Sequence, residues 1–189
     1  MNAITYREVF SLIKMNRMWI GYGFNLSMIF KTTYPNLLEA NRKYVQSKGY
    51  DPDKNYVKTP AIAWFTNLDI KKRHEEMILY KHYTPEEYPT YENFEAINVD
   101  KVSDIPCDYE GNIGVPITFL DKYNPEQFAI IGLGISNSGI ECGVKPYKPE
   151  HKKYRKEIQH RGAVDGDLYI MHNGIVEVPY ARILIRKKK

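Results

Sequence analysis

The densest concentration of chemistry-bearing side chains runs from Lys145 to Arg161. Lys145, Lys148, Lys152, Lys153, Arg155, Lys156 and Arg161 stand there against Glu150 and Glu157, with Tyr147 and Tyr154 interleaved. Clustered cations of this kind suit a phosphate backbone, because each phosphate neutralised releases condensed counterions. A solvated basic face would carry the same residues, so charge alone leaves both readings open. The tail adds Arg186, Lys187, Lys188 and Lys189, although terminal lysines are weak indicators of a site. The preceding stretch, 84–126, has the opposite sign, with ten acidic residues against Lys101 and Lys122.

Other constellations point to chemistry less firmly. Phe128 to Gly139 is an apolar run into glycines with GxGxxxxG spacing and no phosphate-loop lysine. The residues that follow, Ile140 to Pro146, have no helical pattern, so no helix N-terminus is expected to cradle a phosphate. Pro52-Asp53 and, sixteen residues on, Asp69-Ile70-Lys71 have the form of the PD…(D/E)xK pattern of magnesium-dependent nucleases. Both elements are short enough to recur by chance in charged chains. Asp100, Asp104, Asp108 and Glu110 do not follow calcium-loop spacing and read as a solvated acidic face. The five histidines have no HxxxH spacing, no serine sits in a GxSxG elbow, and two cysteines without a CxxC give no zinc framework; no metal site is expected. Trp19 and Trp64, each inside an apolar run, read as core aromatics.

The elements that would position these residues divide into two styles. Thr5-x-x-Glu8 has capping-box spacing ahead of Val9, Phe10, Leu12 and Ile13, which predicts a helix over about 6–16. Met18 to Tyr22 and Ile62 to Asn67 read as buried strands. Between them, Gly23 to Thr59 reads as a surface excursion whose one ordered piece is a helix from about Leu37 to Ser47. Short strands follow at 96–99, 115–120 and 128–133, while Met77 to Tyr80 fits strand or helix equally. The strongest local signal is Asn173-Gly174 between Leu168–His172 and Ile175–Val178, a two-residue hairpin turn; Ala181 to Ile185 is a further strand. No apolar run reaches the roughly 18 residues of a membrane span and the N-terminus has no signal-peptide pattern, so a cytoplasmic protein with no membrane partner is expected.

Three runs taken in order resemble one family: Asn2-Ala-Ile-Thr-Tyr-Arg-Glu-Val-Phe; Trp64-Phe-Thr-Asn-Leu-Asp with Lys71-Lys-Arg-His-Glu; and Gly114-Val-Pro-Ile-Thr-Phe-Leu-Asp-Lys-Tyr-Asn-Pro. With the Ala181-Arg-Ile-Leu-Ile ending, they are similar to the EcoRI-type adenine-specific DNA methyltransferases, least so between about Ile140 and Gly166. That resemblance implies methyl transfer from S-adenosylmethionine to the N6 of an adenine flipped out of duplex DNA, within a restriction–modification system. It also implies an Asn-Pro-Pro-Phe type catalytic motif and a glycine-containing cofactor loop, and neither is visible here; the nearest string, Asn124-Pro125-Glu126, lacks the second proline and the aromatic.

Since the family places both motifs ahead of the Asn-Ala-Ile-Thr-Tyr segment, the chain is expected to correspond to the C-terminal part. The expected fold class is α/β: residues 1–70 as the C-terminal portion of a Rossmann-like methyltransferase sheet, then a β-rich (α+β) target-recognition region over 71–189. DNA contact is assigned to Lys145, Lys148, Lys152, Lys153, Arg155, Lys156 and Arg161, and the vicinity of the target base to Thr66 and Asn67. S-adenosylmethionine is implied by the family but not expected to bind this chain alone, which is expected to be inactive by itself. An open sheet edge favours self-association or a separate catalytic subunit. The alternatives are a DNA-binding or interaction module without catalysis, and the magnesium-dependent nuclease.

Overall fold

A computed structural model describes residues 3–23, 26–34 and 38–188. Asn2 of the first family-like run, Leu37 at the start of the expected helix, and Lys189 of the tail lie outside the described residues. In chain order the elements are α1 (Arg7–Lys14), β1 (Trp19–Ile20), β2 (Leu26–Lys31), α2 (Glu39–Ser47), β3 (Tyr56–Ile62) and β4 (Phe65–Thr66). Next come β5 (Ile97–Asn98), β6 (Ile113–Pro116), β7 (Phe128–Gly134), α3 (Ser136–Glu141) and α4 (Pro149–Glu157). The last are β8 (Ile170–His172), β9 (Ile175–Glu177) and β10 (Arg182–Lys187). The fold is therefore a mixture of helices and small sheets. Among the described residues no helix is long and apolar enough to cross a membrane. The chain clusters into two compact units, one of Trp19–Thr66 and one joining Met1–Met18 to Asn67–Lys189.

In the smaller unit, β2 and β3 pair antiparallel with an irregularity between Leu26 and Met28, and β1 pairs antiparallel with β4. Helix α2 is tied to the ladder through Asn41, whose amide donates to the Tyr56 carbonyl at 3.2 Å and accepts from the Lys58 N–H at 2.9 Å. The expected surface excursion is thus a helix-bridged ladder. Its strands are separated in sequence by α2, so no turn signal between them announces the pairing. The strand expected over 62–67 is interrupted at Ala63 and Trp64, between the end of β3 and the start of β4, and Trp64 is 52% exposed rather than part of a core.

The larger unit is organised by a four-stranded sheet of order β5-β6-β10-β7. Strand β10 runs antiparallel to both neighbours, with Ile183 opposite Val115 on one side and Leu133 on the other. Its apolar residues Ile183, Leu184 and Ile185 are all buried, as a run of this composition in a central strand must be. The two-residue β5–β6 ladder is parallel. The strand expected over 115–120 ends at Pro116, which has no N–H to extend a ladder, and the chain tightens into a 3-10 turn over Ile117–Lys122. That turn still buries Ile117, Phe119 and Leu120, with Phe119 edge-on to Phe128 at 5.3 Å. Helix α1 buries Phe10 and Ile13; its N-cap is Tyr6, without a side-chain cap hydrogen bond, rather than the Thr5 of the capping-box spacing. Met77 is neither strand nor helix: the Gln127 side chain brackets it, accepting from its N–H at 2.9 Å and donating to its carbonyl at 2.7 Å. The hairpin forms as its sequence dictates, with positive φ at both Asn173 and Gly174.

Candidate nucleic-acid interface

Helix α4 opens with Pro149 at its first turn, where a missing N–H costs nothing, and is polar along nearly its whole length. A helix of this composition is held by particular side chains rather than by an apolar stripe. Arg155 is the main anchor: only 8% exposed, it donates from Nε to the Gly162 carbonyl at 3.0 Å and from Nη1 to Gln159 Oε1 at 3.1 Å. Gln159 in turn donates to the Val176 carbonyl at 2.9 Å, fastening the turn after α4 to the β8–β9 hairpin. On the other side, Tyr147 stacks on the fully buried Tyr169 at 4.3 Å, and His151 Nδ1 lies 3.1 Å from the Tyr169 hydroxyl.

Between the turn after α4, the hairpin and β10 lies a cleft of about 590 Å³, whose lining includes Asn98, Asp100, Arg155, Gln159, Arg161 and Arg182. Its floor is a hydrogen-bonded network. The Tyr91 hydroxyl donates to Asn98 Oδ1 at 2.7 Å, and Arg182 Nε donates to the same oxygen at 3.0 Å. Asn98 Nδ2 donates to Asp100 Oδ1 at 3.0 Å, which also accepts from Arg182 Nη2 at 2.7 Å, while Nη1 reaches the Tyr180 carbonyl at 3.0 Å. Burial pushes the Tyr91 hydroxyl well above the ordinary tyrosine range, so it keeps its proton and acts as a fixed donor. Arg182 and Asn98 are nearly fully buried, and pairing is what makes a buried guanidinium tolerable.

The seven cations of 145–161 meet different fates. Lys148 Nζ contacts Glu92 at 2.6 Å and is held above its ordinary pKa by that hydrogen bond. Lys152 contacts Asp165 at 2.8 Å, and Lys153 lies 3.9 Å from Glu157. Arg155 is spent on internal carbonyl and amide groups. Lys145, Lys156 and Arg161 are exposed and have no side-chain partner among the described residues. Of the interleaved tyrosines, Tyr147 is buried, so it cannot present a face for stacking. Thr66 closes β4 opposite Trp19, half-buried, and Asn67 is exposed at the first position beyond that unit.

The glycine run contains more structure than its spacing suggested, since α3 begins at Ser136, two residues past β7. It still makes no phosphate cradle, for a different reason. Asp167 accepts the Ser136 N–H at 2.8 Å, placing a carboxylate where an anion would sit. A Cβ on Gly139 would lie 1.8 Å from the Gly166 carbonyl oxygen, so two backbones already fill the space behind the turn. The nuclease pattern fares similarly: Asp53 is paired with Arg42 at 2.6 Å and Asp69 with His74 at 2.6 Å. Asp100, expected on a solvated acidic face, instead completes the Arg182 network, although its own side chain stays 76% exposed.

Sequence reasoning missed Asn98, Gln159 and Arg182 as lining residues. One signal was present for Arg182: a charge between Ala181 and Ile183 in an otherwise apolar strand must find a partner. Asn98 and Gln159 carry no such mark.

Comparison with known proteins places this arrangement of a four-stranded sheet, a basic helix and a hairpin in a family. Residues 1–188 match the family described as adenine-specific methyltransferase EcoRI, and the chain belongs to that family. It is 38% identical over 193 residues to the type II methyltransferase M.EcoRI of Escherichia coli, covering 100% of this chain and 48% of that protein. It is 33% identical over 151 residues to the type II methyltransferase M.MpnI of Mycoplasma pneumoniae, covering 77% of this chain and 43% of the relative. The same identity over 152 residues holds for M.MgeORF184P of Mycoplasma genitalium. The chain thus spans about half the length of the curated relatives it matches, and no solved structure matches it.

Proposed function

We propose that this chain supplies DNA recognition to an adenine-specific (N6) DNA methyltransferase of a restriction–modification system. Family membership supports the reaction class. The observation that carries the recognition role is the face formed by α4, the turn after it and the β8–β9 hairpin, where Arg161 lines the cleft, Lys156 lies on α4 and Lys145 precedes it, each exposed with no side-chain partner among the described residues. Long-range attraction and phosphate contact come from such cations, whereas Lys148 and Lys152 divide theirs with Glu92 and Asp165. On this reading residues 71–189 form the target-recognition region, supported by the fact that all four strands of the principal sheet fall there. Residues 1–70 are assigned to the C-terminal portion of a Rossmann-like methyltransferase domain, with Thr66 and Asn67 near the target base. S-adenosylmethionine supplies the methyl group of the family reaction; since neither an Asn-Pro-Pro-Phe type motif nor the family's cofactor loop is visible in this sequence, the purified chain alone is assigned no methyl transfer, and the cofactor is assigned to a catalytic part or subunit acting with it.

Anisotropy of a labelled DNA duplex across a salt series tests the proposal. Alanine at Lys145, Lys156 or Arg161 lowers the slope of log K against log salt by about one each, and at Lys148 or Lys152 by less. Binding without salt dependence, or slopes unchanged in the first three variants, overturns it.

A further inference from the structure

Away from the cleft, two extended segments of the larger unit run side by side. Lys81 and Pro106 form a parallel bridge, and the Cys107 N–H donates to the Lys81 carbonyl at 2.8 Å. The Tyr83 N–H donates to Asp108 Oδ1 at 2.8 Å, so the next residues stay in step. This backbone pairing brings His82, Cys107 and Asp108 to one place. His82 Nδ1 lies 3.0 Å from Asp108 Oδ2 and 3.7 Å from Cys107 Sγ, and the three donor atoms all fall within 4.8 Å of one another.

Those separations are close to what a tetrahedral ion demands. With bonds of about 2.3 Å to sulfur, 2.05 Å to nitrogen and 2.1 Å to oxygen, zinc holds S and N about 3.6 Å apart and N and O about 3.4 Å apart. The two separations from His82 Nδ1 therefore need to change by only a few tenths of an ångström, while Cys107 Sγ and the Asp108 oxygen, within 4.8 Å of one another, would close to about 3.6 Å on the ion. We propose that His82, Cys107 and Asp108 form a binding site for a borderline transition-metal ion such as Zn²⁺, with the fourth position open to water or an external ligand.

The donor set selects the class of ion. Imidazole, thiolate and carboxylate together suit zinc and its neighbours, whereas magnesium and calcium seek oxygen donors throughout. Three protein ligands with one open position distinguish this arrangement from a closed structural site. A thiolate and a carboxylate balance the double charge of the ion, with the imidazole neutral and its Nδ1 lone pair directed to the metal. Binding displaces the Cys107 thiol proton to solvent, so affinity rises with pH. The outer contacts orient the ligands: Asp108 keeps one oxygen on the Tyr83 N–H, and the Cys107 carbonyl accepts from Lys187 Nζ near the end of β10. An ion here would clamp residues 81–83 to 106–108 and stabilise the folded chain by linkage.

The test uses the untagged chain, reduced and freed of metal with a chelator, then titrated with Co²⁺. The expected result is a thiolate-to-cobalt charge-transfer band that saturates at one ion per chain and disappears as Zn²⁺ displaces the cobalt. Cys107→Ser abolishes the band, and His82→Ala and Asp108→Asn weaken binding roughly 10-fold or more. Asp108→Asn retains an oxygen for the Tyr83 N–H, and circular dichroism matching the parent chain confirms that each variant is folded. Cys142→Ser leaves the band intact, since Cys142 is half-buried beside β7 with its thiol pushed up by burial. No band, a band that survives Cys107→Ser, or one lost in Cys142→Ser overturns the proposal.

Discussion

In the larger unit, β10 lies between β6 and β7, and Phe119, Phe128, Ile183, Leu184 and Ile185 have essentially no exposed surface. In the smaller unit, Ile20 and Val45 are the buried large apolar residues among those described, while Tyr34, Leu38 and Trp64 are each more than half exposed. The smaller unit relies on a backbone ladder and on exposed ion pairs, Arg42 with Asp53 and Lys43 with Glu39. Exposed pairs contribute little, so burial is where the two units differ in free energy. The contrast teaches that cooperative stability belongs to the sheet unit, and that Trp19–Thr66 sits at the low end of local stability.

The comparison breaks most visibly in the core. Phe119→Ala removes a fully buried ring and is expected to cost about 3–5 kcal/mol in denaturant titration. Val45→Ala is expected to leave that main transition in place and to speed hydrogen exchange within Trp19–Thr66 alone. Equal effects of both on one transition would show the units to be a single cooperative block. Next in size is Arg182→Ala, expected to cost about 2 kcal/mol because Asn98 Oδ1 loses one of its donors beneath the cleft. Arg182→Lys recovers part of the loss, since an ammonium cannot reach Asn98, Asp100 and Tyr180 together.

Smaller effects sharpen the contrast at the surface. Separating Lys43 from Glu39 by Glu39→Gln is expected to change stability by only about 0.3–0.5 kcal/mol. The Asp69 carboxylate, hydrogen-bonded at 2.6 Å, raises the His74 pKa above the ordinary 6.5. With the folded value raised, the pair's contribution is fully present below the unfolded pKa and is lost as pH rises through the folded one. A proton NMR titration should find His74 titrating above 6.5, and Asp69→Asn should bring it down.

Local signals were legible in the sequence. Asn173-Gly174 dictated its hairpin, the apolar period of Val9 to Ile13 its helix, and the Phe128 run its strand, because each pattern is complete within a dozen residues. The family was legible too, from runs whose order mattered more than any one of them. What sequence did not reveal was pairing at a distance. The β2–β3 ladder has α2 between its strands, and His82 meets Cys107 and Asp108 only because Lys81 bridges Pro106. Within the basic segment, type and spacing could not tell Arg155, consumed by the Gly162 carbonyl and Gln159, from Arg161, which lines the cleft exposed. Burial separates them, and burial is a property of the tertiary fold.

Hydrogen exchange of the chain with and without duplex DNA tests the central claim most directly. Protection is expected at Lys145, from Lys156 through Arg161, along the hairpin from His172 to Glu177 and beside the target base at Thr66 and Asn67, with Trp19–Phe65 unaffected. Protection confined to Trp19–Thr66, or none at a DNA concentration that saturates binding, would contradict the placement of DNA recognition on the α4 and hairpin face.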